Sequence, residues 1–197
     1  MAIKAGIFGD GTNLKDRYIA DHKRLGKLVK RWKELGLKVV LTSGTWDLFH
    51  VGHAEYLERA KELGDLLIVG VDSDKKVKLR KGPHRPVVPQ GERVQILCHL
   101  RHVDAVTLKP HDERPNALIK LVRPDVLVMS KSTKHKPADS KEKQKYVGRV
   151  VLLQPQAQTS TSAKVRLLHT SGADRFAKEV ANRIPGLMEE VMQSMGK

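Results

Sequence analysis

Apolar residues along the chain form two patterns that alternate. One has the spacing of a helix, and the other is the short continuous run typical of a buried strand. Residues 21–35 carry Leu, Val and Trp at helical spacing behind Asp21, a residue type that caps helices. A continuous apolar run of strand length follows at residues 38–43. A second such run, residues 65–71, comes after a helical stretch at residues 54–63. A strand, a helix and a strand in this order predict two parallel strands joined by a helical crossover.

The same alternation continues towards the C-terminus. Further strands are predicted at residues 103–108, 125–129 and 149–153, and further helices at residues 92–100, 115–122 and 174–195. We interpret residues 73–90 as a basic loop and residues 1–20 as an arm. The pattern predicts an α/β fold with three layers, α/β/α, around a parallel sheet. We expect an N-terminal arm and helix at residues 1–37, one α/β domain at residues 38–168, and a C-terminal helical extension, residues 169–197, packed on the same domain.

Composition adds a strong positive charge to this picture. The chain has 37 Lys and Arg residues against 22 Asp and Glu residues, a formal net charge of +15 at pH 7 and a pI near 10.0. Such a surface attracts polyanions, either nucleic acid along an extended face or phosphate groups in one pocket. Cations concentrate at residues 75–85 and again at residues 131–149, and we interpret the second cluster as solvated loop charges.

Three further features indicate the class of protein. The longest apolar runs are only of strand length, so no segment is expected to span a bilayer. The N-terminus lacks the charged and apolar pattern of a signal peptide. The single cysteine, Cys98, lies in an apolar helical run and is expected in the core rather than as a nucleophile. Together these features predict a cytoplasmic protein.

The candidate chemistry lies in the sequence GTWDLFHVGH, between the first strand and the helix after it. Ligands of open parallel sheets bind beyond the carboxyl ends of the strands, and a helix N-terminus there offers unpaired N–H groups to phosphate. Gly44 and Gly52 let the backbone approach a ligand closely. His50 and His53 are three residues apart, so both imidazoles can point into one pocket if the helix starts near Val51.

The two histidines admit three interpretations. They could donate to α-phosphate oxygens or, if protonated, stabilise the charge that develops in a transition state. They could merely cap the helix. They could bind zinc, although no third or fourth ligand stands at a suitable spacing. The full ten-residue stretch, placed after a strand and before a helix, favours the phosphate interpretation.

This stretch resembles the G-T-F-D-x-x-H-x-G-H signature of a nucleotidyltransferase family, with Trp46 at the usual Phe position. The family includes cytidylyltransferases, such as glycerol-3-phosphate cytidylyltransferase, and heptose-phosphate adenylyltransferases. The resemblance spans residues 21–168 and looks closest to D-glycero-β-D-manno-heptose 1-phosphate adenylyltransferase, because residues 81–86 match K-G-P-x-R-P and residues 123–128 match R-P-D-V-L-V. It implies a Rossmann-like three-layer α/β/α nucleotidyltransferase fold, with residues 38–168 as the nucleotidyltransferase domain.

The resemblance implies transfer of AMP or CMP from ATP or CTP to a small phosphorylated acceptor, a sugar or polyol phosphate, with release of pyrophosphate. The acceptor phosphate would attack the α-phosphorus directly, with Mg²⁺ held largely by the triphosphate rather than by protein side chains. The residues that match the family motifs have three implied roles. Catalysis is implied for His50, His53 and Lys81. Nucleotide binding is implied for Ser43, Gly44, Thr45, Trp46, Gly52, Lys131, Ser160, Thr161 and Ser162. Binding of the acceptor or a phosphate is implied for Asp47, Arg85 and Arg93.

Two segments depart from the family pattern. The Gly-Asp pair after the fourth strand is replaced by Ser130-Lys131, and residues 154–159 lack the usual Arg or Gly. Both segments would help to recognise the base and the triphosphate, so the choice between ATP and CTP stays open. Lys131 could replace a phosphate contact.

Two other classes of function remain alternatives. An inactive member of the fold that binds nucleotides or nucleic acid is favoured by the net charge. A carboxylate-adenylating enzyme is favoured by residues 128–132, Val-Met-Ser-Lys-Ser, which resemble the K-M-S-K-S loop. We expect a nucleoside triphosphate, a phosphorylated small molecule and a second copy in a homodimer as partners, and neither specific nucleic acid nor a membrane.

Overall fold

The computed structural model describes residues 14–131, 143–154, 179–186, 188 and 192. The chain divides into two compact units, Met1–Gln158 and Thr159–Lys197. In the second unit, residues 179–186 are helical, inside the helix expected at residues 174–195. The expected packing of residues 169–197 on the main domain stays a prediction.

The first unit contains a five-stranded sheet and six helices among its described residues. The strands are β1 Val39–Gly44, β2 Leu66–Asp72, β3 Ala105–Lys109, β4 Val126–Ser130 and β5 Arg149–Leu153. The helices are α1 Leu14–Arg17, α2 His22–Glu34, α3 Val51–Lys61, α4 Asp74–Lys81, α5 Gln90–Cys98 and α6 Ala117–Val122. All strand pairs are parallel, in the order β3-β2-β1-β4-β5. The predicted parallel α/β sheet is confirmed.

The sheet is covered on both faces, which explains why its inner strands are apolar without interruption. Alternate residues of each strand contribute to two separate cores. One core packs the sheet against α3 and α5, through side chains such as Leu57 and Leu97. The other packs it against α2 and α6, through side chains such as Leu25 and Val122. Helices on both faces make the three layers expected from the sequence.

The chain order places a topological switch point beside β1. From β1 the chain proceeds outwards to β2 and β3, then returns to the other side of β1 to form β4 and β5. The crevice at the carboxyl ends of β1 and β4 is where ligands bind in sheets of this kind. The segment GTWDLFHVGH begins at this point, because Gly44 is the last residue of β1.

Two boundaries differ from the sequence prediction for a local reason. Residues 73–90 are not only a loop, because they contain helix α4. Ser73 caps that helix by accepting the N–H of Lys76 at 3.3 Å, Asp74 lies in its first turn, and Val77 is fully buried. Helix α3 begins at Val51 rather than at residue 54, because its cap lies in the motif itself.

The described part of the N-terminal arm, from residue 14 onwards, covers the outer edge of β3. The Ile19 N–H donates to the Val106 carbonyl at 2.8 Å, and Thr107 Oγ1 donates to the Ile19 carbonyl at 2.8 Å. Arg17 Nη1 donates to three carbonyls near the C-terminus of α5, those of Cys98, Leu100 and Val103. As expected, Cys98 is buried in the core. None of the described helices is both long enough and apolar enough to cross a bilayer.

Two glycines give a matched test of the packing. A Cβ at Gly64 would lie 2.7 Å from the Lys38 carbonyl oxygen, whereas a Cβ at Gly91, in α5, would meet no atom within 4 Å. We expect Gly64→Ala to lower the free energy of unfolding by about 1–3 kcal/mol through overpacking. Gly91→Ala should raise it by about 0.5 kcal/mol, because alanine favours the helix. Urea denaturation measures both, and equal effects would contradict the packing at residue 64.

Candidate active site

His50, the first candidate residue, caps helix α3. Its backbone is extended (φ −144°, ψ 170°), and its Nδ1 atom accepts the backbone N–H of Gly52 at 3.2 Å. A neutral imidazole that accepts at Nδ1 carries its proton on Nε2. The capping interpretation therefore holds for His50. The cap uses Nδ1, and the proton-bearing Nε2 lies on the other side of the ring, so a second role for His50 is compatible with the cap.

His53 follows at the first turn of α3 and stacks on His50, with ring centroids 4.0 Å apart. Phe49 and Trp46 lie against it with centroid distances of 5.4 and 5.6 Å. Among the described residues, no hydrogen-bond partner reaches the buried Nδ1 atom of His53. A buried polar atom without a partner costs about 1–3 kcal/mol. Such atoms point to a bond that a ligand or water completes.

The surroundings favour the neutral form of His53. Burial lowers its pKa from 6.5 to about 4. Electrostatic interactions with His50 and Lys81 act in the same direction, and Asp47 opposes them. At neutral pH the ring is therefore uncharged in the protein without ligand. Of the two modes expected from the sequence, hydrogen bonding by a neutral imidazole fits this environment.

Trp46 packs against His53 in a T-shaped arrangement. Its backbone adopts φ +58° and that of Leu48 adopts φ +47°, in the left-handed region that bulky residues rarely occupy. The buried indole donates from Nε1 to the Gly70 carbonyl at 3.1 Å. Gly44 provides the room, because a Cβ there would lie 3.2 Å from the indole ring. Strained backbone of this kind persists where the surrounding structure fixes it, commonly at functional sites.

Asp47 ties the motif to the loop that follows α4. Its buried carboxylate accepts from Arg85 Nη1 at 2.8 Å and from the backbone N–H groups of Val87 and Val88. Burial raises the pKa of Asp47, but the hydrogen bonds from Val88, Val87 and Arg85 outweigh it and hold that pKa below its usual value. Both Asp47 and Arg85 were expected to bind the acceptor or a phosphate. In the structure they bind each other.

Lys81 is the last residue of α4, and Gly82, with φ +97°, turns the chain directly after it. Burial lowers the pKa of Lys81, and the neighbouring Arg80 lowers it further. The charge of Lys81 also contributes to the lowered pKa of His53. The ammonium and the imidazole therefore share one electrostatic environment.

Arg93 is the most deeply buried charge near the motif, with 1% exposure. Its guanidinium donates to the backbone carbonyls of Thr45, Asp72 and Val88 and to the carboxylate of Asp74. These acceptors lie on the motif, at the end of β2, in the loop before α5 and on α4. The resemblance predicts a phosphate contact for Arg93, whereas its described bonds join the segments that form the site.

Three charged residues at the carboxyl edge of the sheet were not predicted from the sequence to belong to the site. Asp72, at 2% exposure, ends β2 and pairs with Arg80 at 2.9 Å and Lys109 at 3.5 Å. Burial raises its pKa, but these cations lower it, and the net shift is downward. Arg80 also donates to Thr45 Oγ1 at 2.9 Å, and Lys109 donates to Ser43 Oγ at 3.3 Å. Asp72 and Lys109 could have been found from their positions in the sequence, because each directly follows a buried apolar run that predicts a strand.

The other predicted residues lie in different places. Gly52 is buried at the start of α3, and Lys131 is exposed directly after β4. Residues 160–162, expected to bind the triphosphate, lie outside the described residues. In the string that resembles K-M-S-K-S, Val128 and Met129 are buried strand residues. No group of three or more His, Cys, Asp or Glu residues in the described part of the chain could hold a metal ion.

Comparison with known proteins adds a family and several relatives. A family model described as cytidylyltransferase-like matches residues 41–181. The bifunctional protein HldE of Nitratiruptor sp. is 37% identical over 151 residues, which are 77% of this chain and 32% of that protein. HldE of Sulfurimonas denitrificans is 46% identical over 113 residues, 57% of this chain and 24% of that protein. The chain spans about a third of the length of these relatives or less.

Two solved structures are similar in fold. The lipopolysaccharide core biosynthesis protein from Thermoplasma volcanium is 26% identical, with a TM-score of 0.52 over 63% of this chain and 100% of that chain. Pantoate-beta-alanine ligase from Francisella tularensis, solved with an ATP analogue and beta-alanine, is 13% identical, with a TM-score of 0.51 over 74% of this chain and 69% of that chain. At this identity the ligase shares only the fold.

The lowered pKa of His53 predicts a pH dependence of stability. Because the folded pKa of about 4 lies below the unfolded value of 6.5, the unfolded chain binds more protons between these values. The His53 contribution to stability is therefore full above about pH 6.5 and is lost as the pH falls towards 4. We expect His53→Asn to reduce the slope of unfolding free energy against pH in this window. NMR titration of the His53 ring should give a pKa near 4, and a value near 6.5 would contradict the burial described here.

Proposed function

From the premise that this chain belongs to the cytidylyltransferase-like family of nucleotidyltransferases, we propose that it transfers AMP, or less readily CMP, to a small phosphorylated acceptor. The donor is the nucleoside triphosphate, and the second product is pyrophosphate. An oxygen of the acceptor phosphate forms a bond to the α-phosphorus as the bond to the bridging oxygen breaks. Pyrophosphate leaves with that electron pair, so the protein need supply no nucleophile.

One observation carries this proposal: the stacked pair of His50 and His53 at the N-terminus of α3, with a buried ring nitrogen of His53 that lacks a partner among the described residues. The pair lies after the carboxyl end of β1, where sheets of this topology bind nucleotides. Neutral imidazoles and the positive end of a helix dipole can stabilise the negative charge that develops on α-phosphate oxygens. Because the donors are fixed before the reaction, little reorganisation is needed.

The charges around the pair support a reaction between two anions. Four cations lie at the same edge of the sheet. Arg80 and Lys109 pair with Asp72, and Arg85 pairs with Asp47. Lys81 interacts electrostatically with both carboxylates. Two reactants that both carry phosphate repel each other in water, and fixed cations offset this repulsion. We therefore assign the triphosphate to the crevice between β1 and β4, with Lys81 near the reacting phosphates.

Magnesium enters this proposal as part of the substrate. A divalent ion that bridges triphosphate oxygens reduces the charge of the leaving pyrophosphate. Mg²⁺ usually keeps several waters and one or two carboxylates in sites of this kind. The proposal accordingly requires no cluster of protein ligands.

The acceptor is proposed from resemblance. Residues 81–86 match the K-G-P-x-R-P pattern of heptose 1-phosphate adenylyltransferases. The similar protein from Thermoplasma volcanium is described as a lipopolysaccharide core biosynthesis protein. The match of residues 81–86 favours a sugar phosphate as acceptor and ATP as donor, and a role in lipopolysaccharide synthesis of the similar protein agrees with a sugar acceptor. The likeness of residues 128–132 to the K-M-S-K-S loop keeps carboxylate adenylation as the second candidate.

The first experiment measures pyrophosphate release. We expect release from ATP with at least one sugar phosphate, in a panel that crosses four nucleoside triphosphates with sugar phosphates, polyol phosphates, the corresponding unphosphorylated compounds and carboxylates such as pantoate. Mass spectrometry of the product should show the nucleoside monophosphate joined to the acceptor phosphate. Release only with carboxylates would replace this proposal by adenylation of a carboxylate. Binding of nucleotide without release in any pair would identify a binding protein.

A second experiment separates the roles of the histidines. His50→Asn keeps a side chain that caps helices but removes the second ring nitrogen, and His53→Asn removes the stacked ring. We expect each to lower kcat by about a hundredfold or more, as when transition-state donors are lost, with a smaller change in KM for the triphosphate. His102→Asn is the matched control, because His102 lies before β3 and contacts Glu58. Near-normal kcat in both motif variants would exclude the assigned mechanism.

A further inference from the structure

Lys109 lies on the opposite side of β1 from the crevice assigned to the triphosphate. It is the last residue of β3 and is the register partner of Asp72 at the end of β2. Its stem crosses β2 at Gly70, where a Cβ would lie 3.0 Å from the Lys109 Cδ atom. This crossing brings the ammonium within 3.3 Å of Ser43 Oγ on β1. A residue of an edge strand therefore reaches the central strand because Gly70 has no side chain.

Arg80 approaches the same carboxylate from α4. Asp72 pairs through Oδ1 with Lys109 at 3.5 Å and through Oδ2 with Arg80 at 2.9 Å. Each cation also donates a hydrogen bond to a hydroxyl at the carboxyl end of β1. Lys109 donates to Ser43 Oγ on the strand, and Arg80 donates to Thr45 Oγ1 directly after it. These hydroxyls flank Gly44. We call Asp72, Arg80 and Lys109 the edge clamp.

The edge clamp has more positive than negative charge. One carboxylate pairs with two cations. Lys76 also lowers the pKa of that carboxylate, but Lys76 itself pairs with Glu113 at 3.7 Å. Burial lowers the pKa of Lys109, and the nearby charge of Lys76 also lowers it. The carboxylates of Asp72 and Glu113 act in the opposite direction, but the net shift of the Lys109 pKa is downward. The Lys109 ammonium has three N–H groups to donate. In the described part of the chain it has two partners, the Ser43 hydroxyl at 3.3 Å and the Asp72 carboxylate at 3.5 Å. An ammonium largely removed from water and incompletely bonded favours an added anion.

Position decides which anion this is. The triphosphate lies towards β4 in the proposed function, whereas Lys109 reaches the end of β1 from the β2 and β3 side. A group held there would lie on the other side of Gly44 from the nucleotide. An oxygen that attacks in line must approach the α-phosphorus from the side opposite to the leaving pyrophosphate.

We propose that Lys109 is a specificity-determining residue that binds the phosphate of the acceptor and, with Arg80, favours a phosphate dianion over a carboxylate. This inference rests on the proposed function for the identity of the reaction. The new bond forms between an oxygen of the acceptor phosphate and the α-phosphorus, and the bond to pyrophosphate breaks, with no proton moved. Because the edge clamp has a net positive charge, it attracts a dianion more strongly than a singly charged carboxylate.

The alternative role for Lys109 is to neutralise Asp72 without touching substrate. Lys109→Met distinguishes the two, because methionine keeps a flexible stem across Gly70 and removes only the charge. We expect KM for the acceptor phosphate to rise about tenfold or more, with kcat at saturation and KM for ATP changed by less than about threefold. Lys61→Met is the control; Lys61 is paired with Asp104 near the amino end of β2 and should leave all three values unchanged.

A double variant makes the test sharper. In Asp72→Asn with Lys109→Met the buried carboxylate no longer needs a counterion, so a purely neutralising role predicts recovery of the acceptor KM. We expect KM to stay high, while thermal unfolding shows that the fold is retained. Recovery in the double variant, or an unchanged KM in Lys109→Met, would overturn the inference.

A binding measurement separates this inference from the proposed function. If the wild-type protein releases no pyrophosphate with any pair, the proposed function fails, and the edge clamp is then tested with inorganic phosphate by calorimetry. An α,β-methylene analogue of ATP, present in excess, occupies the nucleotide site. We expect phosphate to bind to the wild-type protein and at least about tenfold more weakly to Lys109→Met. Equal affinity, or no binding to the wild-type protein, would refute the role of Lys109.

Discussion

The geometry of the site depends on one buried guanidinium. Arg93 lies in α5 at 1% exposure and donates to acceptors on the motif, at the end of β2, on α4 and in the loop before α5. Removing such a charge from water is costly unless acceptors surround it, so these four segments are held in one arrangement. Asp47 acts in parallel by binding Arg85 and two backbone N–H groups of the loop after α4. The histidines, Lys81, Arg80 and Asp72 all lie on segments that these two residues connect.

Much of the fold could be predicted from the sequence, because burial on both faces of a parallel sheet leaves uninterrupted apolar runs. Helix α4 was missed because only Val77 in it is buried, so it shows almost no apolar periodicity. Its signal was Ser73, which caps it, followed by Asp74. The position of His53 was predictable from the motif and from the cap at His50. Its unpartnered nitrogen was not, because that depends on how Phe49 and Trp46 pack around the ring.

The edge clamp could not be predicted because its members come together only in the folded sheet. Asp72 and Lys109 are neighbours through strand register, and Arg80 reaches them from the end of a helix that was expected to be a loop. For Arg93 the sequence suggested a role but not the surroundings. The family resemblance implies a phosphate contact, whereas the burial of this side chain arises only in the folded protein. A sequence motif indicates which residue types are present, but tertiary packing decides which of them meet a substrate and which meet the protein.

The N-terminal segment has a consequence for dissecting this chain. The match to the family begins at residue 41, yet residues 17–22 bond to the outer strand and to the turn before it. A fragment cut at the family boundary would lose α2 and uncover the backbone of Ala105–Lys109. Bare strand edges recruit other chains, so such a fragment would be prone to pair with its own copies and to precipitate. The folding unit therefore extends at least to Arg17, well before residue 41, where the family model begins.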